Sequence, residues 1–247
     1  MNAIETTLAT TNKAFIAYMM GNQTLVKDYQ TLVAQGATIV EIGVPFTDPV
    51  ADGPVIQAAG LKALRAGVTL QGLLTTIGTI TAKPAPIVLM TYLNPLFAIG
   101  YESFAQQCQR NGVSGVIVPD MPFEESHQLR QLLEAHDVLL ITLVTATSTG
   151  ERLTQMLKKA RGFIYAVTVK GVTGERRAFN PAIYDFLAEL RTKTTVPVMA
   201  GFGIASTEQV KALLPHCDGV IVGSRIVDLL EAGESAPIGS LIQATKQ

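Results

Sequence analysis

Short apolar runs rich in β-branched residues alternate along the chain with stretches whose apolar positions recur every three or four residues. That is the pattern of strands alternating with amphipathic helices. The strand-like runs are 15–20 (FIAYMM), 38–44 (TIVEIGV), 86–92 (PIVLMTY), 115–119 (GVIVP), 138–144 (VLLITLV), 163–168 (FIYAVT), 197–201 (PVMAG) and 219–223 (GVIVG). Helical spacing occupies 25–36, 102–112, 124–136, 150–162, 181–193 and 206–216, and several of these stretches close on glycine, which suits the left-handed turn that ends a helix. Eight such units, with no linker between them, predict one α/β domain over residues 1–247. The expected architecture is a closed parallel (β/α)8 TIM barrel, with an open doubly wound sheet as the alternative. In a barrel, chemistry belongs in the loops that follow the strands.

Composition narrows the picture. With 48% hydrophobic and 16% charged residues, the chain carries enough apolar material for a large core, so disorder is not its dominant state. Nineteen Lys and Arg against 20 Asp and Glu leave a formal charge of -1. No basic excess is present to hold a nucleic acid or an anionic membrane, and any anion must be captured locally. No apolar run reaches membrane-spanning length and no signal-peptide pattern opens the chain, so the cytoplasm is the expected location. Cys108 and Cys217 read as reduced, buried thiols. His127, His136 and His216 do not cluster, which leaves no metal site to expect.

Candidate chemistry begins in the second strand. Alternation places Val40, Ile42 and Val44 on one face and Ile39, Glu41 and Gly43 on the other, so Glu41 projects into the barrel if the Val and Ile face meets the helices. A structural cation would be the bland explanation of such a carboxylate, but none of the eight strand runs contains Lys or Arg. Desolvation would raise the Glu41 pKa towards values useful in proton transfer. The stretch that follows, GVPFTDPVADGP, sets Asp48 and Asp52 in a frame stiffened by Pro45, Pro49 and Pro54. Either aspartate could be a turn former, and two carboxylates at one pocket would suit acid–base work. Late in the chain, Gly174, Gly203 and Gly223 follow consecutive strands, with Ser224 opening a helix. Exposed backbone N–H groups there could hold a phosphate without a lysine. Lys170 raises the question of a Schiff base, yet alternation turns it away from the face that carries Tyr165. The segment STGER reads as a helix N-terminus, with Glu151 in the first turn.

These segments resemble the tryptophan synthase alpha subunit family. VEIGVPFTDPVADGPVIQ is similar to that family's signature, and PIVLMTYLNPLFAIG, VIVPDMPFEES, GVTG, GFGI and GSRIV are similar to further segments in order, over nearly the whole chain. The resemblance implies a (β/α)8 barrel that reversibly cleaves indole-3-glycerol phosphate to indole and glyceraldehyde 3-phosphate. Indole would pass to a pyridoxal-phosphate-dependent beta subunit in an alpha2-beta2 heterotetramer, and the alpha chain itself would hold no cofactor. By matching position, Glu41 would be the catalytic proton shuttle and Asp52 the acceptor of the indole N–H. Tyr165, Thr173, Phe202, Tyr18, Ile56, Met90 and Tyr92 would contact substrate, and Gly174, Gly203, Gly223 and Ser224 its phosphate. Asp48 would face the beta subunit. Two departures stand out: MMGNQ replaces a pattern like TAGDP and is one residue shorter, and Lys170 stands where many relatives carry a small or hydroxyl residue.

Overall fold

The computed structural model describes residues 1–168, 180–201 and 203–246. Its strands are β1 (Ala14–Met20), β2 (Ile39–Gly43), β3 (Ile87–Met90), β4 (Val113–Ile117), β5 (Leu139–Leu140), β6 (Thr142–Thr145), β7 (Ile164–Val167), β8 (Val198–Gly201) and β9 (Gly219–Val222). The first helices are α1 (Ala3–Ala9), α2 (Leu25–Gln35), α3 (Pro54–Arg65), α4 (Leu70–Gly78), α5 (Leu93–Ile99) and α6 (Tyr101–Asn111). Then come α7 (His127–Ala135), α8 (Gly150–Lys159), α9 (Ala182–Lys193), α10 (Thr207–Leu213), α11 (Ser224–Ala232) and α12 (Ser235–Gln243).

All strand pairs are parallel, in the order β5-β4-β3-β2-β1-β9-β8-β7-β6. This is the predicted barrel, with one correction. The fifth apolar run forms two strands instead of one, because it changes partner at Ile141. Leu139 and Leu140 pair with Gly115 and Val116 of β4, whereas Thr142–Thr145 pair with Ile164–Val167 of β7. Arg130 on α7, nearly buried, supports the break by donating from Nη1 to the Leu140 carbonyl at 3.1 Å and to the Lys159 carbonyl, the last of α8, at 3.4 Å. Buried backbone acceptors need such donors wherever a regular ladder stops.

Alternation sorts the apolar side chains into two layers. Val40, Ile42 and Val44 meet the helices, while Ile39 joins Ile16, Val88, Leu139, Met199 and Ile221 inside the barrel. Helix α1, which is not among the predicted helices, closes the N-terminal end by inserting Ile4 into the inner layer. Its N-cap Asn2 accepts from the Ile4 N–H and also donates to the carbonyls of Ser114 and Asp137, stitching the cap to the barrel floor. The helix expected over 124–136 is also corrected. It divides into a 3-10 turn, Phe123–Glu125, and α7, because the buried Ser126 hydroxyl donates to the Phe123 carbonyl at 2.6 Å and competes with the helical pattern. No helix among the described residues is long and apolar enough to cross a membrane.

Candidate active site

Glu41 rises from β2 into the interior, 1% exposed, and neither carboxyl oxygen has a hydrogen-bond partner among the described residues. Burial, reinforced by the nearby Asp52, pushes its pKa from 4.5 up to about 8. Asp52 lies on the loop between β2 and α3, 5% exposed, where burial pushes its pKa up to about 6 against the opposing pull of a hydrogen bond from Tyr92. The loop itself is tied down at several points. The Asp52 N–H donates to the Pro49 carbonyl at 3.2 Å, Gln57 Nε2 donates to the Asp52 carbonyl at 2.8 Å, and Pro54 starts α3, where its missing N–H costs nothing.

Tyr92 completes this support. Its hydroxyl donates to Asp52 Oδ2 at 3.0 Å and accepts from the Ala51 N–H at 3.1 Å, so one phenol fixes both the carboxylate and the backbone beside it. The ring is buried and stacks on Phe46 at a centroid distance of 5.0 Å. Tyr92 is also the N-cap of α5, and both carboxylate oxygens of Asp120, beyond β4, accept from the Leu93 N–H at 2.9 and 3.1 Å. It therefore stands behind Asp52 and does not line the cavity into which Glu41 projects.

That cavity is narrow, about 30 Å³, and brings together Tyr18, Glu41, Asp52, Ile56, Met90 and Tyr165. Tyr18 and Tyr165 are buried, and their hydroxyl pKa values are raised well above 10, first by burial and then by the two carboxyl groups. Each ring lies over a strand-end glycine on the neighbouring strand. A Cβ at Gly43 would overlap the Tyr18 hydroxyl, and one at Gly201 would overlap the Tyr165 ring. The far wall supplies Gly203, with φ of +75°, together with Gly223 and Ser224 at the start of α11. It also supplies Ile204, Ala205, Ile221 and Arg225, which sequence reasoning did not single out. Lys170, Thr173, Gly174 and Phe202 lie outside the described residues.

A second cavity, about 510 Å³, opens beside the first along the break in the fifth strand, between Pro119, Leu143 and Val167. Ala51 lines it, while its chain neighbour Asp52 lines the smaller one. Asp48 is exposed on the outer side of the loop, with the Thr47 hydroxyl donating to Oδ2 at 2.5 Å. The histidines lie elsewhere: His136 contacts Gln109 and Glu102, and His216 packs on Tyr184. No group of metal-ligating side chains forms among the described residues. Both cysteines are free and buried, with thiol pKa values raised by that burial.

The fold and site define a TIM-barrel protein whose polar side chains, chiefly two buried carboxyl groups, gather at the C-terminal ends of the strands. The chain belongs to the tryptophan synthase alpha chain family, whose profile matches residues 4–246. It is 47% identical over 240 residues to the tryptophan synthase alpha chain of Bacillus cereus (strain ATCC 10987 / NRS 248), spanning 95% of this chain and 93% of that one. The alpha chain of Bacillus anthracis is similar to the same degree. Among solved structures, Mycobacterium tuberculosis tryptophan synthase superposes with a TM-score of 0.93 at 32% identity, covering 100% of this chain and 99% of that chain. The alpha subunit from Legionella pneumophila gives 0.89 at 30% identity, covering 100% and 99%.

Proposed function

We propose that the chain, folded as a single domain, is the lyase component of a tryptophan synthase, cleaving indole-3-glycerol phosphate to indole and glyceraldehyde 3-phosphate. The observation that carries this reading is the pair Glu41 and Asp52. Both are buried at one cavity, and their pKa values of about 8 and about 6 leave one protonated and the other ionised in the interval between. Environments that push two carboxyl groups apart in this way assign them different roles.

In that interval Glu41 delivers its proton to indole C3, the ring carbon bearing the glycerol chain, giving the cationic indolenine tautomer. Asp52, ionised, accepts a hydrogen bond from the ring N–H and stabilises the positive charge. The carbon–carbon bond then breaks, and its electron pair restores the aromatic ring. The adjacent hydroxyl loses its proton to the Glu41 carboxylate as the aldehyde C=O forms, so the proton lent at the start is recovered. Because the 30 Å³ space beside Glu41 is too small for the whole ring, the indole extends from Glu41 and Asp52 towards the 510 Å³ cavity that Ala51 lines. The phosphate meets Gly203, Gly223 and Ser224 at the rim, with the α11 dipole directed at it.

Tyr18, Ile56, Met90 and Tyr165 shape the space between ring and phosphate, and matching position in the family assigns Thr173, Gly174 and Phe202 to substrate contact as well. Val50, 71% exposed, and the exposed Asp48 lie on the loop after β2, and Phe97, 63% exposed, lies on α5 after β3. These residues meet the beta subunit that receives indole, in a cytoplasmic alpha2-beta2 assembly. Replacing Glu41→Gln should lower indole formation by about 10²–10⁴-fold, the usual worth of a positioned acid–base group. Indole-release kinetics with added beta subunit test this, and turnover at the wild-type rate would refute the Glu41 assignment.

A further inference from the structure

Glu41 starts the cycle as an acid and is left, once its proton has moved to the ring, as a carboxylate inside the barrel. Neither of its oxygens has a hydrogen-bond partner among the described residues, which costs a neutral carboxyl group far less than an ionised one. Three polar side chains share its cavity: Asp52 from the loop after β2, Tyr165 from β7 and Tyr18 from β1. At the same level of the ladder β3 offers only the apolar Val88. Asp52, ionised in the working interval, has no proton to give. Tyr165 comes from a strand four places from β2 in the strand order, whereas Tyr18 is the direct partner of Glu41 in the β1–β2 register. The Tyr18 phenol is placed by what its neighbours lack. Gly43, two residues beyond Glu41 on the same inner face of β2, has no side chain, and a Cβ there would overlap the Tyr18 hydroxyl. On the side of β9, a Cβ at Gly223 would stand 3.8 Å from Tyr18 Cδ1. The hydroxyl thus lies past Glu41 towards the Asp52 loop, and it makes no hydrogen bond among the described residues. Burial, then Asp52 and Glu41, hold its pKa well above 10, so it keeps its proton throughout the working range.

We infer that Tyr18 is a positioning residue for Glu41, its hydroxyl donating a hydrogen bond to the Glu41 carboxylate that remains when the proton has gone to the ring carbon. The inference rests on the lyase reading above and adds to it a donor for the one charge that the cycle leaves without a partner. Asp52 has less need of it, since Tyr92 already donates to Oδ2 and Oδ1 is kept for the ring N–H. Rotation about the side-chain bonds of Glu41 brings its carboxylate up to the phenol, and a hydrogen bond to an ionised acceptor is about twice as strong as one to a neutral acceptor. The contact therefore forms when Glu41 ionises and favours the step that ionises it.

The test is Tyr18→Phe in the full-length chain, which keeps the ring between its two glycines and removes one atom that has no partner, so the fold is retained. With indole-3-glycerol phosphate, Y18F should lower kcat by about 10-fold and leave KM nearly unchanged, because Glu41 is protonated when substrate binds. It should also move the basic limb of the kcat/KM profile up by about one pH unit, since the ionised form of Glu41 loses its donor. A change in KM alone would make Tyr18 a wall of the pocket and overturn the inference. So would a shift of the acid limb with the basic limb unmoved, which would assign the hydroxyl to Asp52. Carbon-13 NMR titration of the side-chain carboxyl groups, with Glu41→Gln identifying the Glu41 signal, separates this from the reaction itself. If wild type cleaves no substrate, the lyase reading fails. The Tyr18 inference then stands or falls on whether Y18F raises the Glu41 midpoint by the same one pH unit.

Discussion

Glu41 and Asp52 both have pKa values raised by burial, so each favours its protonated form in the folded chain more than in the unfolded one. Their contribution to stability is fully present below the unfolded values, near pH 4, and is lost as pH rises through about 6 for Asp52 and about 8 for Glu41. Glu41→Gln, neutral at every pH, should therefore stabilise the fold more at pH 8.5 than at pH 5, by an amount on the order of a few kcal/mol, seen as a larger rise in melting temperature at the higher pH. A melting series across that range checks the sign, and a variant less stable at pH 8.5 than wild type would count against a strained, unpaired Glu41. Tyr92 acts on the other carboxyl group. Its hydrogen bond pulls the Asp52 pKa down, so Tyr92→Phe should move the acid limb of the kcat/KM profile upward and narrow the working range from below. The inward aim of Glu41 was legible from strand alternation alone. The Tyr92 contact was not, because a phenol and a carboxylate 40 positions apart meet only through the packing of α5 against the loop after β2.

At the scale of elements, the apolar runs located every strand, since parallel strands buried on both faces are hydrophobic almost throughout. The same uniformity concealed the division of the fifth. VLLITLV carries no glycine, proline or charge to mark Ile141 as the point where the ladder changes partner, and the feature that stabilises the change, Arg130, lies on a helix some ten residues earlier. Arg130→Met keeps much of the side-chain volume but leaves the carbonyls of Leu140 and Lys159 without this donor. It should cost about 1–3 kcal/mol of stability, the usual penalty for stranding buried polar groups, read from denaturant unfolding. Helix α1 was invisible for a different reason. It is only 7 residues long, and it holds its place through Asn2 and Ile4, whose partners lie more than 100 residues away or inside the barrel.

Across the whole molecule, the candidate site lies at the C-terminal ends of the strands, and the exposed Val50 and Phe97 follow β2 and β3. A charge at the exposed Phe97 should hinder a partner while leaving the interior alone. Phe97→Asp is expected to weaken association with a beta subunit by about 10-fold or more, with an unchanged melting temperature for the isolated chain, as measured by titration and by thermal unfolding. The closed end, sealed by α1, carries none of the proposed chemistry. The change of partner at Ile141 has a reach beyond its own neighbourhood. Every ladder pairing lies either within residues 14–140 or within residues 142–222, save the seam where β1 meets β9. The wall is therefore two half-shells joined along one full edge and latched at a single residue on the other. The latch, Leu140 to Thr142, lines the roomier chamber, so the wall of that chamber is the stretch of the barrel with the fewest ladder bonds across it.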